Sequence, residues 1–382
     1  MSEPNLDLRP ERVTLYQLEL PLREPFETSF GRAEVRSLAL VRLDKEGLTA
    51  WGESVADHLP LYSSEFTEEV LLTLERIFIP LLMNRPLPHP RAWVNRAARF
   101  KGHPMAKAAV EMALWDLYGQ LQGKSLKEIW GGVRERIPVG VSIGLQPDDD
   151  ALLDTIESYR TAGYQRIKLK IKPNRDLSML RSVRQRYPDI PLMVDANAAY
   201  HWPRDAARLK ILDEFNLLMI EQPFPPDEWV GHRMLQQQMK TPLCLDESIT
   251  TPATLRLALR LRATSIINIK PGRVGGYVIA RQIHDICQKR NVPVWCGGML
   301  ETGIGRAANV ALASLPNFQY PADLSASERY WKEDLIEPPF TLNPDSTLSV
   351  PSGPGLGVRV LESRVQRFAV RWMTLVDRAT GT

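Results

Sequence analysis

The stretch Arg166-Ile167-Lys168-Leu169-Lys170-Ile171 decides the fold, together with four echoes of it downstream. These are Leu192-Met193-Val194-Asp195, Leu218-Met219-Ile220-Glu221, Leu243-Cys244-Leu245-Asp246 and Ile266-Ile267-Asn268-Ile269-Lys270. Each is a short apolar run closed by a charged residue. From Lys170 the closing residues follow at steps of 25, 26, 25 and 24 residues, about one βα unit each. Short apolar runs separated by amphipathic stretches of ten or more residues predict parallel strands joined by crossover helices.

Working outward, the same alternation begins after Arg136. Further strands are expected over Ile137–Gly144, Val292–Cys296 and Phe318–Ala322, making eight. Helices are expected near 151–163, 175–187, 203–214, 228–239, 252–262, 276–290 and 304–314. Closure into a (β/α) barrel is the natural outcome. An open doubly wound sheet is the alternative, but no GxGxxG or P-loop opens a helix. The first 135 residues read differently, as α+β. Strands are expected over Val13–Leu20, Val35–Leu43 and Leu48–Val55, with a hairpin around Asp44-Lys45-Glu46-Gly47. Helices follow near 65–82, 89–100 and 105–122. From about Ser325 the repeat stops, and the proline- and glycine-rich tail is expected to pack back on the N-terminal region. The expected organisation is thus 1–135, 136–324 and 325–382.

Composition narrows the function. The chain has 382 residues, 44% hydrophobic and 24% charged, with 48 Lys+Arg against 45 Asp+Glu. A net charge of +3 without a basic run gives no reason to expect nucleic acid. No apolar run is long enough for a membrane span, and the N-terminus has no signal-peptide core. Three cysteines, Cys244, Cys287 and Cys296, without metal-type spacing point to a reducing compartment. A cytoplasmic enzyme acting on a small molecule is expected, and self-association stays open.

In a barrel, equivalent strand ends form a ring at the C-terminal mouth, where active sites sit. Here the ring reads Lys170, Asp195, Glu221, Asp246, Lys270. Three neighbouring carboxylates repel one another in a low-dielectric mouth and call for a counter-charge. A divalent ion on Asp195, Glu221 and Asp246 would supply it. All-oxygen ligation favours Mg²⁺, with Mn²⁺ as a substitute. Lys170 and Lys270 flank this centre from opposite sides. A lysine kept neutral by neighbouring cations can take a proton from carbon next to a carboxylate, while the metal stabilises the charge that develops. Lys168 shares a strand face with Lys170 and would help keep it neutral. Arg273, three residues beyond Lys270, could do the same for Lys270.

The set Lys168-x-Lys170, Val194-Asp195-Ala196-Asn197, Ile220-Glu221-Gln222-Pro223, Leu245-Asp246-Glu247-Ser248 and Ile269-Lys270-Pro271-Gly272 resembles the muconate-lactonising branch of the enolase superfamily. Ala109-Val110-Glu111-Met112-Ala113-Leu114-Trp115-Asp116 is similar to the helix preceding its barrel. Gly140-Val141-Ser142-Ile143-Gly144, Lys270-Pro271-Gly272-Arg273-Val274-Gly275-Gly276 and Gly297-Gly298-Met299-Leu300-Glu301-Thr302-Gly303 resemble the o-succinylbenzoate synthase / N-acylamino acid racemase family. The resemblance implies an α/β fold: a modified (β/α) TIM-type barrel under an α+β capping domain built from the N-terminal region and the C-terminal tail. It implies metal ligands Asp195, Glu221 and Asp246, acid/base lysines Lys170 and Lys270, and support from Lys168, Asn197, Glu247 and Arg273. Substrate contacts would come from Ser142, Gly298 and Met299, and from Phe26 and Ser29 in the cap. Cap loops at Phe26–Gly31 and around Gly52-Glu53-Ser54 would shape the pocket. The implied reaction is dehydration of 2-succinyl-6-hydroxy-2,4-cyclohexadiene-1-carboxylate to 2-succinylbenzoate, in menaquinone biosynthesis. Racemisation of N-succinylamino acids stands beside it as a second or replacement activity. Dipeptide epimerisation, muconate cycloisomerisation and a non-catalytic metal-binding barrel are the remaining readings.

Overall fold

The computed structural model describes residues 6–377. Seven parallel strands lie side by side in sequence order: Val141–Ile143, Ile167–Lys170, Leu192–Asp195, Ile220–Glu221, Leu243–Leu245, Ile266–Ile269 and Val294–Cys296. Every residue in them is buried, as a parallel sheet covered on both faces requires. The eighth segment does not form a strand. It closes the barrel through isolated bridges, Val294 to Phe318 and Val139 to Ala322. Pro321 has no N–H to give to a ladder there, which limits pairing. The expected first strand is divided as well. Arg136–Pro138 pairs antiparallel with Thr347–Ser349, and only Val141–Ile143 enters the barrel.

Alternation along the strands explains what fills the barrel. Met193, Met219 and Cys244 each precede a ring acid by two residues and share its inward face. With Ile266 and Trp295 they form a separate apolar cluster that plugs the barrel below the charged ring. The outward residues join the helices in the large core. Those helices lie close to expectation, at Asp149–Thr161, Leu177–Arg186, Trp229–Gln236, Pro252–Leu261, Tyr277–Lys289 and Gly303–Ala313. The stretch expected near 203–214 is helical only over Ala206–Lys210 and tightens to a 3₁₀ helix over Ile211–Phe215.

The N-terminal sheet contains Arg12–Glu27, Arg32–Lys45 and Leu48–Ser54, all antiparallel. The first hairpin runs further than expected, because Phe26 and Glu27 still pair with Ala33 and Arg32. Its successor turns through Glu46 and Gly47 at φ 51° and 76°, the left-handed region that glycine enters without steric cost. Both faces of this sheet are buried. Tyr16, Leu18, Leu38 and Leu40 face the barrel core, whereas Val13, Leu15, Ala39 and Val41 face the helices over Thr67–Met83 and Pro104–Gln122. The tail returns to this sheet. Ala369–Asp377 pairs with Arg12–Leu18. Before that, residues 325–361 bridge the two regions: Ser325 donates to Gly140 O and Ala326 N to the Tyr164 hydroxyl, while Arg23 N donates to Tyr330 O, Gly355 pairs with Ser125 and Leu356 N donates to Asp116 Oδ1.

Candidate active site

The C-terminal strand ends carry a dense network of buried charge. Lys168 Nζ lies 2.9 Å from Asp195 Oδ2, 2.6 Å from Glu221 Oε2 and 2.9 Å from Asp323 Oδ2. Lys170 Nζ donates to Asp195 Oδ2 at 2.7 Å and to Asn197 Oδ1 at 2.7 Å. Asn197 Nδ2 in turn donates to Glu247 Oε1 at 3.0 Å. On the far side, Lys270 Nζ donates to Asp246 Oδ2 at 2.7 Å, and Arg273 pairs with Asp246 Oδ1. Asn268 Nδ2 donates to Glu221 Oε1 at 2.6 Å. A cavity of about 140 Å³ opens above, between barrel and cap, and Lys168, Lys170, Asn197 and Lys270 all line it.

The electrostatics follow from these neighbours. Burial acts to raise the Asp195 carboxyl, but Lys168, Lys170 and Lys270 hold it far below the usual range. Burial acts on Lys168 in the opposite sense, yet Asp195, Asp323 and Glu221 keep it well above its ordinary value. Lys170 differs. Burial pushes it down, Asp195 works against that, and the charge of Lys168 adds to the downward push. Lys270 is raised: burial is outweighed by Tyr62, Glu221, Glu247 and Asp195. Glu221 is pushed up by burial and then by the charge of Asp195, so it is less compensated than Asp195.

The three acids have no cation between them in the ring order, and the counter-charge comes from flanking side chains. Lysine and arginine side chains reach in from both flanks and neutralise them. Among the described residues, the one His/Cys/Asp/Glu group with ligand atoms all within 4.8 Å of one another is Glu65, Glu69 and His103, away from the ring. There Glu65 is engaged as a helix cap, accepting from Met105 N and Ala106 N. The donor set of the ring nonetheless suits a hard divalent ion. Asp195, Glu221 and Asp246 present carboxylate oxygens on three adjacent strands, and all three residues are at most 1% exposed. The nearby Glu247 Oε2 is buried without a hydrogen-bond partner. A further positive charge is therefore favourable there.

Of the expected substrate contacts, Ser142, Gly298, Met299 and Phe26 line the cavity. Ser29 does not line it; its hydroxyl donates to Asn197 O at 3.3 Å. Glu247 and Arg273 lie behind the lining. The cap segment Gly52-Glu53-Ser54 does not line the cavity either; the loop after it does, through Val55–Leu59 and Leu61–Ser63. Sequence reasoning missed two residues of consequence. Asp323 clamps Lys168 and, through Oδ1, Arg166 at 2.7 Å. Tyr62 comes down from the cap. Its hydroxyl donates to Asp246 Oδ1 at 3.0 Å, and its ring lies 4.6 Å from Lys270 Nζ. Asp323 was within reach, because Cys296 and Asp323 continue the ring spacing at 26 and 27 residues. Tyr62 sits in an aperiodic loop that carries no such signal.

Comparison with known proteins agrees with this geometry. Residues 11–131 match the mandelate racemase / muconate lactonizing enzyme N-terminal domain, and residues 151–364 the enolase C-terminal domain-like family. The chain belongs to the enolase superfamily. Within it, the chain falls in the o-succinylbenzoate synthase / N-succinylamino acid racemase family. It is 46% identical to the o-succinylbenzoate synthase of Bacillus subtilis, covering 94% of this chain and 97% of that one. It is 47% identical to the N-succinylamino acid racemase of an Amycolatopsis species, covering 91% and 94%. A solved structure of an enolase-superfamily member from Listeria innocua superposes with a TM-score of 0.91 at 39% identity, covering 96% and 98%. Members of this superfamily are enzymes that bind a divalent metal. Among the described residues no helix is long and apolar enough to cross a membrane.

Proposed function

We propose that this chain is an o-succinylbenzoate synthase that dehydrates 2-succinyl-6-hydroxy-2,4-cyclohexadiene-1-carboxylate, with N-succinylamino acid racemisation within reach of the same site. One observation carries the reading: a depressed lysine, Lys170, and a charged lysine, Lys270, line one cavity and bond behind its wall to Asp195 and Asp246, two of three buried carboxylates at adjacent strand ends. Relatives of both names at nearly equal identity support the pairing of activities.

Asp195, Glu221 and Asp246 would hold the ion, Mg²⁺ with Mn²⁺ as a substitute. When bound, it supplies positive charge to the substrate carboxylate as the adjacent carbon loses its proton. The chain's own groups do the rest. Lys170 takes the proton, with its nitrogen aimed by Asp195 and Asn197. It can then return that proton to the departing hydroxyl, so that dehydration needs one base. Lys270 stays an ammonium and stabilises the anion from the other side. Phe26, Met299 and Leu300 line the same cavity and exclude water from the carbanionic centre. Racemisation asks more, because Lys270 must also exchange a proton with the α-carbon.

In this reading residues 1–135 form the cap, 136–324 carry the chemistry, and 325–382 tie the two together. The substrate is a small carboxylate, and the compartment is the cytoplasm. The test is direct. Purified enzyme is incubated with the cyclohexadiene substrate, and aromatic product is followed by absorbance, before and after verified metal depletion. Full turnover in chelator, or no product with metal restored, refutes the assignment.

A further inference from the structure

The turn Gly298-Met299-Leu300 lines the cavity and is held in an unfavourable conformation. Leu300 has φ 57°, a left-handed region that a residue other than glycine occupies at a cost and keeps only when its surroundings impose it. Two buried carboxylates do the fixing. Glu301 Oε2 accepts from Met299 N at 2.9 Å, and its Oε1 accepts from Asn309 Nδ2 at 2.9 Å. On the other side of Leu300, Thr302 N donates to Glu53 Oε1 at 3.0 Å, and the Thr302 hydroxyl to Glu53 Oε2 at 2.6 Å. Gly305 N completes the set at 2.9 Å. Glu301 belongs to the barrel, but Glu53 comes from the third strand of the cap and is 2% exposed. Gly305 leaves room for this approach, since a Cβ there would stand only 3.0 Å from Glu53 Oε2 and from Glu301 Cγ.

We infer that Glu53 is a positioning residue for substrate recognition: it latches the cap to the barrel and so holds the strained Gly298–Leu300 turn in its substrate-contacting shape. The inference rests on the reading of the cavity as the substrate site. It separates Glu53 from the proton-transfer machinery, because it touches neither lysine nor any expected metal ligand. Loosening the turn removes contacts to the non-reacting part of the substrate, made equally before and during reaction. Such a loss appears in KM and leaves kcat nearly unchanged.

The experiment uses the full-length, metal-loaded enzyme with Glu53→Gln, which keeps the shape but removes one acceptor, and with Thr302→Val, which removes the hydroxyl partner together with its cap on Ile304 N. For Glu53→Gln the expected result is a KM for dehydration raised ~5- to 10-fold with kcat within ~2-fold. Thr302→Val should show the same split at roughly half that size on a logarithmic scale. Amide hydrogen exchange should accelerate over residues 299–305 and not across the barrel strands. Binding of the product 2-succinylbenzoate, measured by calorimetry, should weaken in parallel with KM. Equal protection of residues 299–305 in wild type and both variants would overturn the latch, whatever the activity. A fall in kcat with KM unchanged would overturn the recognition role. If wild type neither dehydrated nor bound the product, the functional reading would fail while the exchange data still judged the latch. If Glu53→Gln failed to fold, Thr302→Val would decide alone by the same criteria.

Discussion

Ring and cap bury carboxylates by opposite means. In the ring, Asp195 and Asp323 face lysine and arginine. Asp323 is held at about 2, with burial overcome by Lys168 and Arg166. In the cap, Glu65, Glu111 and Asp116 face mainly backbone N–H groups, and these are not enough. Burial dominates, and the three are pushed up to about 7, 7 and 6. An N–H dipole stabilises a carboxylate less than a full charge does at the same depth. Asp195 and Asp323 therefore stay ionised through the neutral range, while the three cap acids titrate close to it.

The sharpest break in that comparison is inside the ring. Lys170→Ala removes the base while sparing every ring acid. Dehydration should fall by ~10²- to 10⁴-fold, with circular dichroism showing that the fold is retained. Retention of near wild-type turnover by folded variant protein would remove Lys170 from its assigned role. Next comes the claim that charge pairs hold the ring together. Asp323→Asn leaves Lys168 and Arg166 sharing a neutral partner. Breaking a buried pair from one side costs of order 3–5 kcal/mol, so denaturant titration should show a loss in that range. A loss below about 1 kcal/mol would mean that solvent already screens the pair.

These two residues also mark how far the sequence could be read. Lys170 was legible because strand, helix and turn lengths repeat, so equivalent strand ends recur at a nearly constant interval. Asp323 obeys the same interval, but its strand is interrupted by Pro321 and its apolar run ends at Ala322, which drew attention away from the acid that follows. Cap residues obey no interval. Glu53 and Tyr62 lie on one strand end and one loop, and their partners Thr302 and Asp246 are far away in sequence. Nothing local in Gly52-Glu53-Ser54 distinguishes a carboxylate that faces the substrate from one that grips a helix start. The α+β character of residues 1–135 was legible from alternation. The C-terminal strand of the tail was not, because residues 325–361 ahead of it form few regular elements.

The cap side of the comparison is tested by pH. Glu111 is fully buried, accepts from Trp115 Nε1 and Val278 N at 2.9 and 2.8 Å, and so joins the cap helix to the start of Tyr277–Lys289. Its folded value of about 7 exceeds the ordinary 4.5. The folded protein then binds the extra proton more tightly than the unfolded chain. Its contribution is fully present below about pH 4.5 and is lost as pH rises through 7. Glu111→Gln mimics the protonated form. Urea titrations at pH 5 and pH 8 should show the wild type losing about 2–3 kcal/mol more than the variant over that interval. Identical pH dependence would show that the N–H donors alone suffice for the charge.

The smallest expected effect lies where ring and cap meet, at Asp246. Lys270, Arg273 and Tyr62 all hold this carboxylate. Arg273 is otherwise tied to Ile249 O and Asn268 O, and the structure shows no hydrogen bond from it to Lys270. Its influence can pass through the shared acid as well as by the direct repulsion expected from sequence. With Arg273 present, Asp246 divides its charge between two cations, and Lys270 is freer to release a proton. In Arg273→Gln the whole charge falls on Lys270, which should stay protonated more firmly. An ammonium there still serves dehydration, where only stabilisation is asked of it. It serves racemisation poorly, where a base is needed on each face of the α-carbon. In D₂O with N-succinylamino acids, exchange of the enantiomer whose proton faces Lys270 should slow by ~5- to 10-fold, exchange from the Lys170 face by less than ~2-fold, and dehydration by less than racemisation. Equal slowing of both enantiomers would make Arg273 a structural tie between Asp246 and the barrel backbone. A wild type without any exchange from the Lys270 face would restrict this site to dehydration.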